Sequence, residues 1–293
     1  MQILRLKSDH KSAALFLLPV VLGLVIFRLY PIGTALIDSL FTEVFRGGQR
    51  TRQFVGLENY LDLFRDPVFR NSFRVTLVFN VFVNPIQIFI ALLLALLLTA
   101  RKPGVGLFIS IYIIPVGMSV SVASVIWRIL LNPDQGIVNS ILMWLGMSPQ
   151  PFFISSSQAL WSIILLTSWK GVSFWMIFLI AGLNDIPRSL YESAQIDGAN
   201  YLRQTLSITL PLIKRILLFV LVVDTSVNWV LFDPMYIITG GGPQQSTNVL
   251  MFEAYRSGFV FGDFGRSMAM VTILLASLLV VVAIQFRLLG RED

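Results

Sequence analysis

The sequence predicts an all-α integral membrane protein with six transmembrane helices. Three observations carry that expectation. Of 293 residues, 56% are hydrophobic and only 13% charged. Mean hydropathy is +0.78, and the apolar residues gather into six stretches long enough to cross a bilayer. A soluble chain spends about a quarter of its residues on charge, so this one cannot coat itself against water. In hydrocarbon only helices and closed barrels satisfy their backbone groups, and the alternating segments of a barrel are absent.

Crossing the bilayer takes about 20 mostly apolar residues, which places the spans near 13–37, 75–99, 105–131, 159–183, 216–238 and 267–287. The first run continues into Arg28-Leu-Tyr-Pro31 with no small-residue cleavage site, so it reads as a span and not as a cleaved signal. The connection 38–74 is amphipathic, with Phe54, Leu57, Tyr60, Leu61 and Phe64 at helical spacing from about Glu58 onward. A polar loop, 132–158, separates the third and fourth spans. Between the fourth and fifth, 184–215 reads as two short helices on the membrane surface. Ser189 and Glu192 fit a capping box, Gly198 supplies a left-handed residue, Asn200 caps the second helix, and Pro211 ends it. The loop 240–262 opens on Gly240-Gly241-Gly242-Pro243, which no helix survives. With no internal repeat, residues 1–293 read as one membrane domain.

Composition excludes several functions. The net charge of +6 and pI near 9.8 come from cations scattered at the ends of apolar runs, which suits a lipid bilayer and not nucleic acid. There is no cysteine and one histidine, His10, so disulfides, thiolate metal sites and a Ser-His-Asp triad are out. No G-x-x-x-x-G-K-[ST] run occurs, so no cofactor is expected on this chain and ATP must be handled elsewhere if it is used. An intramembrane enzyme is opposed by the lack of His-Glu, paired Asp or Ser-Lys residues at helical spacing within the spans. Basic residues at the N-terminus and in Arg101-Lys102 weakly favour an inside N-terminus, and an even number of spans puts both termini on one side.

Polar residues inside spans are costly and mark a bundle interior or a solute path. Lys170 lies half-way along the fourth span and Asp224 in the first half of the fifth. At 1.5 Å per residue they lie roughly 20 and 14 Å from the loop that joins their spans, so a Lys stem allows a pair. Asn80, Asn84 and Gln87 share one face of the second span, either bonding between helices or touching solute. Asn228, Trp229, Phe232, Asp233 and Tyr236 combine rings with polar tips, as a sugar site does, although Trp and Tyr also mark membrane interfaces. An ion-gradient carrier would use Lys170 and Asp224 as coupling residues.

The segment Glu192–Leu212, ESAQIDGANYLRQTLSITLPL, resembles the EAA loop of permease subunits in binding-protein-dependent ABC importers. Matching positions are Glu192, Ala194, Asp197, Gly198, Ala199, Ile208, Leu210 and Pro211. Ser193, Thr205 and Arg215 depart from the pattern. FVGLENYLDLFRDPVF (54–69), IIPVGMSVSVASVIWRILLNPDQGIVN (113–139) and VLFDPMYIITGGGPQQST (230–247) resemble further segments of sugar-type permeases, the last in the MalF-like subunit. The resemblance implies the type I ABC importer permease fold and a bacterial or archaeal cytoplasmic (inner) membrane, with the EAA loop and both termini cytoplasmic. It implies a second, MalG-like permease, a dimer of ATP-binding subunits carrying ATP and Mg, and an extracytoplasmic solute-binding protein. Glu192, Ala194, Asp197, Gly198, Ala199, Leu210 and Pro211 would then couple to the ATPase. The pathway would draw on Lys170, Asp224, Asn228, Trp229, Phe232, Asp233, Tyr236 and Asn84. The cargo so implied is a sugar or a related polyol or glycerol-phosphate compound. A non-sugar solute is the nearest alternative, and ion-coupled transport a more distant one.

Overall fold

The structure, a computed structural model, describes residues 10–46, 49–99 and 104–290. Arg101-Lys102 and the basic N-terminus, with the charge argument that used them, lie outside the described residues. Among the described residues, four helices are long and apolar enough to span a membrane: Leu15–Asp38, Pro67–Leu98, Ala159–Asn184 and Phe264–Leu289. Two further helix pairs qualify if each bent pair counts as one span. These supply the first, second, fourth and sixth spans directly, and the third and fifth in broken form.

The second span begins at Pro67, well before the expected 75, because its start is set by a cap and not by hydropathy. The Asp66 carboxylate accepts the Val68 N–H at 2.9 Å, and Pro67 occupies the first turn, where its missing N–H costs nothing. The third span was expected unbroken over 105–131. It instead runs Val105–Gly117 and Val120–Leu130, bent by 103°. Pro115 sits in a 3-10 turn, Ile114–Gly117, and Ser119 caps the second half by accepting the Val122 N–H at 3.1 Å. The fifth span was expected over 216–238. Its helix is Lys214–Trp229, and after a gap the chain coils again from Asp233 into the π-turn Met235–Thr239, which Gly240 ends at φ 58°. Pro234 accounts for the break, since it has no N–H to return to the Val230 carbonyl four residues back.

The chain divides into two compact units. One comprises Met1–Leu63 with Ala254–Thr272. It holds an antiparallel hairpin, β1 (Phe41–Arg46) and β2 (Gln49–Phe54), in which Phe41 faces Phe54 with ring centroids 5.3 Å apart. The sequence reading expected no strands here, although the amphipathic helix it expected from Glu58 forms as Glu58–Arg65. Asn59 secures the hairpin base, its Nδ2 donating to the carbonyls of Ser39 (2.8 Å) and Phe41 (2.9 Å).

The other unit comprises Phe64–Glu253 with Ile273–Asp293. Its second and fourth spans pack along their length around a core that includes Ala91, Ala95, Val172, Met176 and Leu179. The alanines allow backbones to approach closely, which is how helices gain contact where lipid offers no hydrophobic drive. Gly182 extends the same logic to the fifth span: a Cβ there would lie 2.1 Å from Ile216 Cδ1.

Candidate functional site: a cavity beside a buried polar network

The larger unit holds a half-open, largely apolar cavity of about 420 Å³. Its walls come from the second span (Gln87), the third-span elbow (Val116, Val120), the fourth span (Lys170, Phe174, Trp175) and the fifth (Asp224, Asn228). Sequence spacing explains the fourth-span wall, because Thr167, Lys170, Gly171 and Phe174 recur at three and four residues and so share a face.

Beside the cavity lies a continuous polar network at membrane depth. Asn228 Nδ2 lies 2.7 Å from Asn84 Oδ1, 3.0 Å from Asp224 Oδ1 and 3.3 Å from Gln87 Oε1. Three acceptors thus meet an amide with two hydrogens. Asn84 Nδ2 donates to Thr225 Oγ1 at 3.1 Å, and so does Gln285 Nε2 from the sixth span at 2.8 Å. Gln87 Nε2 donates to the Thr167 carbonyl at 3.0 Å. Asn80, Asn84 and Gln87 are all at most 5% exposed, so their shared face points into the bundle. Unpaired, each amide would cost several kcal/mol in hydrocarbon.

Lys170 and Asp224 both border the cavity but do not pair. The Lys170 ammonium donates to two backbone carbonyls of the elbow, Pro115 (3.0 Å) and Met118 (2.6 Å). Asp224 is 2% exposed. Its Oδ1 accepts from Trp175 Nε1 at 2.6 Å and from Asn228, while Oδ2 is buried with no donor among the described residues. The Met118 carbonyl takes the lysine because the break has cost it its helical donor, while the Pro115 carbonyl accepts the lysine beside the Met118 N–H it already holds at 3.3 Å. That loss was invisible while the third span was read as continuous.

The other pathway candidates lie elsewhere. Trp229 is turned away from the cavity and donates its indole N–H to Ser277 Oγ at 3.2 Å. Phe232, Asp233 and Tyr236 fall beyond the end of the fifth helix and do not line the cavity. Asp233 Oδ1 accepts from Ser121 Oγ at 3.4 Å, and the Tyr236 ring lies 6.0 Å from that of Phe252. Trp175 and Phe174, which supply the aromatic wall, were not singled out from the sequence. Their signal was the heptad-like recurrence around Lys170.

The loop after the fourth span folds as a helix Arg188–Ile196, a turn, and a second helix, Tyr201–Leu212, that bends by 67° into the fifth span. The expected capping box does not form: Pro187 is the N-cap, and Ser189 and Glu192 lie within the helix. Gly198 does take left-handed backbone, φ 77°, and Asn200 Oδ1 accepts the Arg203 N–H at 2.9 Å. Gln204 Nε2 donates to the Ala199 carbonyl (2.7 Å) and Tyr191 bonds Thr209 through their hydroxyls (2.9 Å), tying the helices together. Outward, the loop shows Glu192 and Asp197 and, more tellingly, the apolar Ile196 (88% exposed), Leu202 (64%) and Leu206 (56%). Ala194, Ala199 and Leu210 are half-buried and Pro211 is exposed at the return into the fifth span.

Comparison with known proteins bears on this architecture. Residues 55–292 match the family described as "Binding-protein-dependent transport system inner membrane component". The chain is 36% identical to the sn-glycerol-3-phosphate transport system permease protein UgpA of Yersinia pestis, over 95% of this chain and 94% of that one. The UgpA protein of Agrobacterium fabrum is 34% identical over the same shares. Among solved structures, a bacterial alginate ABC transporter in complex with an alginate pentasaccharide-bound periplasmic protein superposes with a TM-score of 0.83 at 23% identity, covering 97% of this chain and 96% of that one. An amino acid ABC transporter superposes at 0.53 with 16% identity, covering 80% of this chain.

Proposed function

Because the chain belongs to the family of binding-protein-dependent transport system inner membrane components, we propose that it is the MalF-like permease of an ATP-driven importer for a sugar or a related polyol or glycerol-phosphate solute. The observation that carries this reading is the cavity at membrane depth, whose lining brings Phe174 and Trp175 together with Gln87, Asp224 and Asn228. A hydroxyl-rich solute needs both: rings against its C–H faces, and fixed amide and carboxylate groups for hydroxyls that have left water. The relatives named for glycerol-3-phosphate and the alginate importer support that class of cargo.

On this reading the chain performs no covalent chemistry. ATP and Mg are held by a partner dimer, a MalG-like permease completes the pore, and an extracytoplasmic binding protein delivers the solute. The exposed apolar crest Ile196, Leu202 and Leu206 would seat in the ATPase, with Gly198, Ala194 and Ala199 setting backbone shape and close approach and Glu192 and Asp197 making charged contacts. Leu210 and Pro211 would carry ATPase closure into the fifth span, a rigid-body switch of access. Loop and termini are then cytoplasmic, and Phe232, Asp233 and Tyr236 lie toward the outer mouth. Asn84 acts through the network that fixes Asn228, and Trp229 acts by tying the fifth span to the sixth through Ser277.

The test is to purify the tagged chain gently from its own membranes and identify what accompanies it. An ATPase and a second permease, with ATP hydrolysis stimulated by the binding protein and its solute, are the expected result. An active, stable chain with no ATPase would overturn the reading and reopen ion-coupled transport.

A further inference from the structure

We propose that Lys170 is a positioning residue that latches the elbow of the third span over the cavity, and not a solute ligand. The break orphans a specific carbonyl. In an unbroken helix Met118 O would accept the N–H of Val122, four residues on. Here that N–H is taken by Ser119 Oγ at 3.1 Å, and the donor given to Met118 O is the Lys170 ammonium at 2.6 Å. The same ammonium bonds Pro115 O at 3.0 Å, on the other side of Gly117. One charge on the fourth span therefore closes both sides of the bend. In hydrocarbon an orphan carbonyl is costly enough that the bend needs such a donor.

Val116 and Val120, either side of the break, line the cavity, as does Lys170 itself. The bent elbow is thus a cavity wall held by a residue of the fourth-span wall. Straightening it would return the Val122 N–H to Met118 O and release the ammonium, so the elbow has two arrangements with exchanged donors. Opening and closing of the cavity then run through Lys170.

A single cysteine reads the elbow directly, because the chain has none of its own. Ser124, in the second half of the bent span, is 0% exposed while the elbow is latched, so the nearly isosteric Ser124→Cys hides a thiol that only movement of the elbow uncovers. Maleimide labelling of this chain, in the complex it forms in its own membranes, reports how long the elbow is latched. Losing charged hydrogen bonds worth more than about 1.4 kcal/mol gives about a tenfold change in the open population. Lys170→Met should therefore raise labelling about tenfold, and Lys170→Arg should restore it to within about twofold of the parent. Ser119→Ala is an independent variant with the lysine intact. It frees the Val122 N–H for Met118 O and should raise labelling as well. Unchanged labelling in Lys170→Met, or in Ser119→Ala if the former does not accumulate, overturns the latch. So does a Lys170→Met chain that labels normally and loses only transport, which is the signature of a solute ligand. Labelling needs neither solute nor ATPase, so this test and the importer reading fail separately.

Discussion

Replacing Gly171 by alanine probes the cavity and the network together. A Cβ at Gly171 would stand 2.5 Å from Gln87 Cδ, 2.6 Å from Oε1 and 2.7 Å from Nε2, where contacts of 3.4 Å and above are ordinary. The Gln87 amide must therefore retreat by about 0.9 Å, the difference between 3.4 and 2.5 Å. It has nowhere easy to go, being 1% exposed and bonded to the Thr167 carbonyl at 3.0 Å. Overpacking costs about 1–3 kcal/mol and one lost buried hydrogen bond about 1 kcal/mol, giving about 2–4 kcal/mol in all. Thermal unfolding of the purified complex, followed by tryptophan fluorescence, should move down by roughly 5 °C or more. The double variant Gly171→Ala, Gln87→Ala removes the clashing amide, so it should be no less stable than Gln87→Ala alone, a coupling of at least about 1 kcal/mol. Additive losses, or a neutral Gly171→Ala, would refute the reasoning.

Three further outcomes are expected. Gly265→Ala should loosen the hairpin base, since its Cβ would fall 2.0 Å from the backbone oxygen of Phe41; limited proteolysis within 41–54 should quicken more than tenfold for a cost above about 2 kcal/mol. Asn139→Ala should cost about 2–4 kcal/mol locally, because Asn139 is 1% exposed and holds the carbonyls of Pro133 and Gln150 and the Gln150 N–H; hydrogen exchange over 133–150 measures it. Gly198→Val should leave the chain inserted but sharply reduce solute-stimulated ATP hydrolysis, whereas Gly198→Asn should be mild. At φ 77° with open space around it, the strain is conformational and Asn tolerates that region.

What the sequence made legible is what hydrocarbon dictates. Apolar length located the spans, and the spacing of Asn80, Asn84 and Gln87 located their buried face, because both depend on composition along one helix. Gly198 and Asn200 were legible for the same local reason. The elbow was not, since Pro115 and Gly117 sit in a stretch whose hydropathy never falls, and a bend needs an orphaned carbonyl to find a donor from another span. The Ser189–Glu192 box failed because Pro187 pre-empted the N-cap. The hairpin was missed because Phe41–Arg46 and Gln49–Phe54 mix arginines with rings and carry no clean alternation. Trp229 looked like a sugar platform in isolation, and only the sixth span's Ser277 shows where its indole goes.

The polar network also constrains the order in which the chain is made. Asn84 and Asn228 are 144 residues apart in sequence. At about 5–20 residues per second of synthesis, the second span's amides wait roughly 7–30 s for the fifth to be translated. A helix bearing Asn80, Asn84 and Gln87 cannot rest in lipid that long without cost. It has interim partners of its own, for Asn80 Nδ2 reaches the Thr76 carbonyl at 3.0 Å one turn back. Gln87 has the fourth span's Thr167 carbonyl within 80 residues. Asn84, whose partners outside its own helix lie on the fifth span, is the last to be satisfied, so the second and fourth spans should leave the insertion machinery as a pair with one side still open for the fifth.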